Sequence, residues 1–444
     1  MLTLKTAARA ALAKSVSALY TAASLPHRAG TPAPAETPAT FLPVLRFAAC
    51  SDIHLSGDPD SAEAQRFAAL LETVYAYAAQ QEYPGFDALL VAGDMTDCGG
   101  EEEYDVFNAI LDAHLRPETQ LLVVTGNHEY IRYRKVDASQ GSRVFARKMQ
   151  RAEDLHTVIN GFHFIGCSYS EDGRTFKAKL PWLEAALKQA AQESGDRPVF
   201  TFQHPAPWAT IYGSADWGDA DVPRILRKFP QAINFSGHSH YPINDPRSIW
   251  QGGYTALGCG TLSYFETELD CFAGNFPYET KQAAQFYIAE ADAWGNVRIR
   301  AYDLITERFF DLEYYLPVPA GKRQDYLYRL QKQRDPAPVF PPETRIHTET
   351  DAEGHTLLVF TGATDAFAVD SYKGTVLRGG VPVQSFNFSG KYMCLAEPDV
   401  YTADLGALPP GNYAVSIHAM NCYAKLSKPL TFRFQVRADR KKGS

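Results

Sequence analysis

The chain has 444 residues, with 43 lysines and arginines against 51 aspartates and glutamates, so its net charge is −8. Apolar residues make up 45% of it and charged residues 21%, which is typical of a soluble globular protein, and the length predicts two domains. The acidic balance argues against broad nucleic-acid binding through the phosphate backbone, and the absence of any apolar run of about 18 residues predicts no transmembrane segment.

The cysteines and the first 43 residues bear on the cellular compartment. Seven cysteines occur without a repeated spacing, which excludes a disulfide framework and favours a reducing compartment. Residues 1–25 are rich in alanine, serine and threonine, which favours an amphipathic helix over a secretory signal, and residues 30–43 form a proline-rich linker. We therefore predict a cytoplasmic protein with an N-terminal helix and linker at 1–43. Export is the alternative if residues 1–25 act as a weak signal.

Strands and helices alternate along residues 44–316. Apolar runs predict strands at residues 45–50, 87–91, 120–125, 162–167, 198–203 and 232–236. Apolar residues at helical spacing follow the first two strands and occur again at 182–192 and 222–229. We expect Asp60 and Glu63 to cap the first helix. Residues 284–315 alternate apolar and polar side chains, as antiparallel strands do. The pattern predicts an α/β fold with a largely parallel sheet.

Polar side chains follow five of these strands. In α/β sheets ligands bind outside the carboxyl ends of the strands, so we expect these side chains to meet at one place. They are Asp52, His54, Asp94, Asn127, His204, His238 and His240. Aspartate, asparagine and histidine suit transition metals, and seven donors suit two ions that share one carboxylate. Such a two-metal clamp serves in-line displacement at phosphorus.

The ordered set resembles the calcineurin-like metallophosphoesterase superfamily, whose pattern is D-x-H, G-D-x-x-D, G-N-H-(D/E), a lone His and then G-H-x-H. All five blocks occur in order, at residues 52–54, 93–97, 126–129, 204 and 237–240. The resemblance implies a layered β-sandwich core flanked by helices, the four-layer fold of that family, over residues 44–316.

The resemblance also implies a role for each residue of these blocks. Asp52, His54 and His240 would hold the first metal, Asn127, His204 and His238 the second, and Asp94 would bridge them. His128 would be the catalytic histidine. The cofactors would be two divalent or trivalent ions, with Mn, Fe and Zn suiting the donors almost alike.

The expected reaction is in-line attack on phosphorus by a hydroxide that bridges the two metals. His128 would stabilise the developing charge and protonate the leaving oxygen. Asp97, the last residue of the second block, would orient a ligand or His128, although a plain turn role is the alternative.

Substrate choice is expected to come from residues outside these blocks. Arg132 and Arg134 follow the third block and are candidates to grip a phosphate, although a solvated helix face is the alternative. Trp208 and Trp217 lie in the segment after His204. They predict either an aromatic platform for a base or sugar, or packing over the pocket rim.

The sequence after residue 316 predicts a linker and a separate all-β domain. Residues 317–343 predict a short charged helix and a proline-rich linker, and residues 344–438 carry six or seven short strands without helices. These strands predict a small antiparallel β-sandwich, and residues 408–436 resemble the last strands of a fibronectin type III or immunoglobulin-like domain. Stabilisation, substrate gating and binding of a protein or glycan partner all remain open as its role.

The sequence as a whole predicts a metal-dependent phosphoesterase that hydrolyses a phosphodiester or phosphomonoester of a small molecule or nucleotide. Two alternatives differ in class. One is a phosphoprotein phosphatase, and the other is a binding or adhesion protein in which the β-sandwich is the functional part.

Overall fold

The computed structural model describes residues 35–269, 272–275, 284–318, 331–332, 334–390, 392 and 400–437. The chain divides into two compact units, the first ending at Gln331 and the second beginning at Lys332. The helix predicted within residues 1–25 lies outside the described residues, as do residues 319–330 and 333 of the helix and linker predicted at 317–343. The finer boundaries at residues 43, 316 and 343 stay predictions.

The first unit contains fourteen strands and six helices among the residues described. The strands are β1 (Pro43–Cys50), β2 (Ala88–Val91), β3 (Gln120–Val123), β4 (Leu155–Ile159), β5 (Phe162–Gly166), β6 (Val199–Pro205), β7 (Ala232–Gly237), β8 (Ile249–Gln251), β9 (Thr255–Gly258), β10 (Thr267–Leu269), β11 (Phe272–Asn275), β12 (Gln285–Asp292), β13 (Val297–Asp303) and β14 (Arg308–Leu316). The helices are α1 (Ala62–Ala79), α2 (Glu101–His114), α3 (Ser139–Met149), α4 (Leu180–Ser194), α5 (Ser214–Trp217) and α6 (Val222–Leu226).

These strands form two six-stranded mixed sheets and a small β10–β11 ribbon. The first sheet has the order β14-β13-β12-β1-β2-β3, in which β1, β2 and β3 run parallel and β12 pairs antiparallel with β1. The second has the order β4-β5-β6-β7-β9-β8, in which β5, β6, β7 and β9 run parallel. The parallel strands of each sheet end on the same edge, which is where the site-bearing loops begin.

The two sheets pack face to face, and helices cover their outer faces. On β1 the Phe47 ring lies 5.2 Å from Phe164, 4.9 Å from Phe200 and 5.6 Å from Phe235 on the facing sheet. The opposite face of the first sheet packs against α1, α2 and α3, and the outer face of the second sheet packs against α4 and α6. The predicted α/β class, a layered β-sandwich core flanked by helices, is confirmed.

The N-terminus of α1 corrects one expectation. Ser61, rather than Asp60, is the N-cap residue, and its Oγ accepts from the backbone N of Ala64 at 3.2 Å. The amide of Asp60 instead donates to Asp58 Oδ1 at 3.0 Å within the preceding turn. Serine and aspartate cap helices about equally well, so the residue adjacent to the first helical turn takes the role.

The second unit is all-β in the part described. Its strands are β15 (Ile346–Thr350), β16 (Thr356–Thr361), β17 (Val369–Arg378), β18 (Val381–Ser389), β19 (Val400–Asp404), β20 (Gly411–Asn421) and β21 (Leu430–Val436). They form a β15-β16-β19 sheet and a β18-β17-β20-β21 sheet, with every pairing antiparallel. Apolar residues of both sheets, including Phe360 and Tyr372, form its core. The predicted C-terminal β-sandwich is thus present.

No helix among the described residues combines the length and the apolar character needed to cross a membrane.

Candidate metal centre

The predicted donors all lie where parallel strands of the two sheets end. The loops after β1, β2 and β3 carry the donors of the first sheet, and the end of β6 and the loop after β7 carry those of the second. Five donor residues have a backbone in the left-handed region, with φ between 50° and 72°, namely Asp52, His54, Asp94, His238 and His240. Such a backbone is uncommon for residues other than glycine and costs about 1–3 kcal/mol each, so the surrounding structure must hold these loops in place.

The first group of donors surrounds Asp52. His240 Nε2 lies 3.0 Å from Asp52 Oδ1 and 3.1 Å from His54 Nε2. His54 Nε2 also lies 3.9 Å from Asp52 Oδ1 and 3.9 Å from Asp94 Oδ2. Each of the four residues offers one ligand atom, and these atoms all lie within 4.8 Å of one another.

A second group overlaps the first at Asp94. Asp94, His204 and His238 also bring one ligand atom each within 4.8 Å of the others. His204 Nε2 lies 2.9 Å from Asp94 Oδ2 and 3.1 Å from Asn127 Oδ1. All seven predicted donors therefore meet, in two groups that share the Asp94 carboxylate.

The orientation of the histidine rings tests whether this set fits a cation. His204 Nδ1 lies 2.8 Å from the Ala92 carbonyl, and His240 Nδ1 lies 2.9 Å from the Tyr264 carbonyl. A carbonyl only accepts, so each Nδ1 carries its proton and each Nε2 presents a lone pair to the centre. Nitrogen and carboxylate lone pairs pointing at one another require a positive charge between them. The set fits a divalent metal centre.

The pKa values of the donors lead to the same conclusion. Burial alone would raise the pKa of Asp52 and Asp94, but the neighbouring His240 and His204 rings hold both well below the usual range. Burial alone would lower the pKa of His204, but Asp94 and Asp52 raise it to about 9, so without an ion a proton on Nε2 supplies the positive charge that a metal would replace. Burial and the nearby His204 lower the pKa of His238 to about 3. The carboxylates are thus ionised and favour positive charge between them.

Glycines allow the site loops to approach closely. A Cβ on Gly237 would lie 1.8 Å from Ser51 Oγ and 2.3 Å from Asp52 Oδ2. A Cβ on Gly126 would lie 2.2 Å from Asp94 Oδ1. Any side chain at either position would displace a donor carboxylate.

Glu129 links the loop after β2 to the loop after β3 through hydrogen bonds, a role that the motif match alone did not assign. Its fully buried carboxylate accepts from the backbone N of Asp94 at 3.1 Å and of Gly126 at 2.6 Å, and from Thr96 N at 3.0 Å and Oγ1 at 2.9 Å. Burial, with Asp94 nearby, raises the pKa of Glu129 to about 7.

His128 and Asp97 lie at the mouth of the site. The backbone N of His128 donates to Asp94 Oδ1 at 2.8 Å, and its ring Nδ1 lies 2.5 Å from the Asp97 carbonyl. His128 Nε2 lies 4.0 Å from Asp94 Oδ2. The Asp97 side chain is 61% exposed, and its Oδ1 lies 3.7 Å from His54 Nδ1. Asp97 therefore contacts the catalytic candidate through its backbone and a donor histidine through its side chain.

The two candidate arginines have different surroundings. Arg132 pairs with Glu102 of α2, with Nη2 and Oε1 2.5 Å apart, and its side chain is 42% exposed. Arg134 Nη2 donates to the carbonyl of the donor residue Asn127 at 2.9 Å. Of the two, Arg134 is the one that touches a donor residue.

The two candidate tryptophans also differ. Trp217 packs edge-on against the donor His238, with ring centroids 5.6 Å apart. Trp208 is 38% exposed, and its Nε1 donates to the Ala215 carbonyl at 3.2 Å. Hydrogen bonds from Trp208 N to Asp219 O and from Asp219 N to Ala206 O, both 2.8 Å, close this loop on itself. Trp217 thus forms a fixed wall of the site, and Trp208 packs on its own loop.

Sequence reasoning missed two residues beside the first donor group. The Tyr264 ring lies 4.2 Å from the His240 ring and 5.8 Å from the His54 ring. The backbone N of Glu266 donates to the His240 carbonyl at 3.1 Å. Neither belongs to a recognisable motif, and the aromatic-rich stretch that follows the last block was the single available signal.

Comparison with known proteins agrees with this geometry. Residues 45–242 match the family model for calcineurin-like phosphoesterases. The glycerophosphodiester phosphodiesterase GpdQ of Enterobacter lignolyticus is 28% identical over 165 residues, covering 35% of this chain and 56% of the relative. The UPF0046 protein K07C11.7 of Caenorhabditis elegans is 26% identical over 170 residues, covering 35% of this chain and 57% of the relative. The chain thus spans little more than half the length of the curated relatives it matches.

A solved structure of the FN1–FN3 domains of chicken CNTN1 is 16% identical and covers 35% of this chain and 44% of that chain, with a TM-score of 0.18. So low a score carries no argument about the type of the C-terminal sandwich.

Proposed function

We propose that this chain is a binuclear metal-dependent hydrolase of small phosphodiesters, because residues 45–242 match the family model for calcineurin-like phosphoesterases. The observation that carries the proposal is the pair of donor groups that share Asp94. Phosphoprotein phosphatase activity and a purely binding role are the alternatives that the experiment below separates.

Two ions would be held by this donor set, each a Mn, Fe or Zn ion. The first would lie among Asp52, His54 and His240, the second among Asn127, His204 and His238, with Asp94 between them. When bound, two such ions supply an activated water and the positive charge that neutralises phosphoryl oxygens. The carbonyls that fix the histidine tautomers keep the donors aligned before any ligand arrives.

His128 would move the proton to the leaving oxygen. The Asp97 carbonyl holds its Nδ1, so Nε2 is the ring atom that faces the substrate. Burial lowers the pKa of His128 in the free site, and the negative charge of a bound phosphate would favour the imidazolium that general-acid catalysis needs.

We propose a diester as the substrate because of the aromatic residues beside the donor set. A diester carries an organic group on each side of phosphorus. Trp217 lies against His238 of the second donor group, and Tyr264 lies against His240 of the first, so an aromatic ring is present beside each group. The glycerophosphodiester phosphodiesterase among the relatives supports the same choice. Arg134, beside Asn127, is the candidate to contact a phosphoryl oxygen.

The test is a hydrolysis panel with Mn²⁺, Fe²⁺, Zn²⁺ and Mg²⁺. We expect bis-p-nitrophenyl phosphate to be hydrolysed faster than p-nitrophenyl phosphate. We expect His128→Ala to lower kcat by roughly 10²–10⁴-fold with its metal content unchanged, because His128 transfers a proton and holds no ion.

Three results would contradict the proposal. Normal turnover by His128→Ala would remove the proton-transfer role. Faster hydrolysis of phosphopeptides than of any diester would favour a phosphoprotein phosphatase. Fewer than about two bound ions per chain after reconstitution, with no turnover, would favour a binding or adhesion protein.

We also propose a cytoplasmic location. The thiols of Cys50, Cys98, Cys167 and Cys259, all free, support this choice.

A further inference from the structure

The carbonyl of Tyr264 is the atom that orients His240 in the first donor group. His240 Nδ1 lies 2.9 Å from this carbonyl, and His240 Nε2 lies 3.0 Å from Asp52 Oδ1 and 3.1 Å from His54 Nε2. A ligand histidine whose outer nitrogen donates to a fixed carbonyl keeps both its tautomer and its ring orientation. The geometry of the first donor group therefore depends on what holds the backbone at Tyr264.

Tyr264 belongs to a loop, residues 259–266, that forms neither helix nor strand. The loop is attached to the donor loop that follows β1. Thr261 Oγ1 donates to the Asp52 carbonyl at 3.0 Å, and Leu262 N donates to the same carbonyl at 3.3 Å. These bonds connect the first half of the loop to the backbone of a donor residue.

Arg66 of α1 holds the middle of this loop. Its Nη1 donates to the Leu262 carbonyl at 3.1 Å and to the Ser263 carbonyl at 2.9 Å, across 196 and 197 positions of sequence. Leu262 is fully buried and Ser263 nearly so, which leaves little water to take the place of the guanidinium. Hydrogen bonds from a charged donor are about twice as strong as those between neutral groups. One side chain of a helix therefore fixes the two peptide groups that precede Tyr264.

Arg66 lies outside every motif of the site. It belongs to α1, whose apolar face packs on the first sheet and which contributes no donor to either group. We infer that Arg66 is a positioning residue for the first ion, because it holds the loop whose Tyr264 carbonyl orients His240. This inference rests on the metal centre of the proposed function and adds a residue to it.

Calorimetric titration of the metal-free protein with Mn²⁺ tests this role without relying on turnover. His240→Ala identifies the binding step of the first ion as the step that it loses, and His238→Ala identifies the second step in the same way. Arg66→Met keeps the apolar stem and removes the donors. We expect it to weaken the first step roughly tenfold and to leave the second within about twofold. The effect is at the low end for partners of a ligand, because Arg66 acts through one further contact.

Two further variants supply a rescue and a control. Arg66→Lys carries an ammonium group that can donate to both carbonyls, and we expect it to recover most of the affinity of the first step. Arg151→Met is the matched control. Arg151 Nη1 also donates to a backbone carbonyl, that of Leu121 at 2.6 Å, but this carbonyl belongs to β3 rather than to a site loop. Arg151→Met should leave both steps at their wild-type values. Arg66→Gln replaces Arg66→Met if that variant does not fold.

The outcomes separate a positioning role from a purely structural one and from failure of the proposed function. Equal weakening of both steps in Arg66→Met makes Arg66 a structural residue and overturns the inference. Unchanged affinity in Arg66→Met overturns it as well and leaves the proposed binuclear centre standing. Wild-type protein that binds fewer than about two Mn²⁺ ions contradicts the proposed centre itself, and the inference falls with it.

Discussion

Glu129 is a single residue that holds the loops of the candidate site in position although it is not itself one of the proposed donors. Each of its two carboxylate oxygens accepts two hydrogen bonds, Oε1 from Thr96 N and Oγ1, and Oε2 from Asp94 N and Gly126 N. A carboxylate is the side chain that accepts at both of its oxygens without donating. Glu129 thereby fixes the left-handed backbone of Asp94 and the turn before Asn127.

We expect Glu129→Gln to destabilise the protein and weaken metal binding. The amide group would direct an N–H₂ donor at backbone N–H donors, which costs about 1–3 kcal/mol for the unsatisfied groups. Misplaced donors should lower metal affinity roughly 10–100-fold. Urea unfolding and Mn²⁺ titration calorimetry measure the two effects, with exposed Glu118→Gln as the control. Wild-type metal affinity in Glu129→Gln would contradict this positioning role.

Individual residues also show which features of the site can be predicted from sequence patterns. The meeting of the seven candidate donors at one place was predictable because each lies at or just after the end of a strand, and neighbouring parallel strands end on the same edge of a sheet. Glu266 was not, because its link to the site is a backbone hydrogen bond to His240 across 26 residues of sequence, and no spacing encodes that contact. Arg132 and Arg134 are alike in sequence context, and their partners in the fold distinguish them, Glu102 of α2 for Arg132 and the Asn127 carbonyl for Arg134.

At the scale of an element, the β4–β5 hairpin carries two histidines in contact. His156 Nε2 lies 2.9 Å from His163 Nδ1, and His163 Nε2 lies 3.4 Å from Glu193 Oε2 on α4. In the neutral pair His156 donates to His163, which can then donate to Glu193. A proton added at His163 Nδ1 would place two N–H donors against each other.

We expect this hairpin to make stability depend on pH. Burial lowers the pKa of both His156 and His163, so below about pH 6.5 the unfolded chain binds protons that the folded chain does not. Stability should therefore fall as the pH drops from about 7.5 to about 5.5, and His163→Gln should reduce that loss. Urea unfolding at the two pH values measures it, with exposed His347→Gln as the control. An equal loss in wild type and His163→Gln would contradict the prediction.

Whether a segment forms a helix or a strand was easier to predict from the sequence than which strands pair with one another. The period-two alternation of residues 284–315 correctly indicated antiparallel strands, now β12, β13 and β14. It did not indicate that β12 would pair with β1, because alternation specifies which face is buried and not which strand lies alongside. The Ser61 cap was missed for a similar reason, since neighbouring Asp60 offers the same chemistry.

At the scale of the whole molecule, all five tryptophans belong to the first unit, so tryptophan fluorescence reports the unfolding of the unit that carries the candidate metal centre. That unit buries Asp52 and Asp94 together with Glu129, and bound cations would relieve their mutual repulsion.

We expect Mn²⁺ at about a hundred times its dissociation constant to stabilise this unit by about 2.7 kcal/mol for each bound ion, which raises its Tm by roughly 4 °C per ion in a unit of this size. His128→Ala should keep the shift because His128 is not a ligand in the proposed centre, and Asp94→Asn should lose most of it. The measurement is a fluorescence melt with and without metal. A full shift in Asp94→Asn would contradict the shared role of that carboxylate.

The spread of the donors along the chain has a consequence for how the protein is made. His54 and His240 meet at 3.1 Å although 186 positions separate them, and each donor group draws on both sheets. The first group spans residues 52–240 and the second residues 94–238, so an ion held by either group cannot template the early steps of folding. During synthesis, ions held by these groups would enter only after the loop that carries His238 and His240 has left the ribosome and β7 has docked. Metal occupancy would therefore mark the assembly of the unit as far as β7.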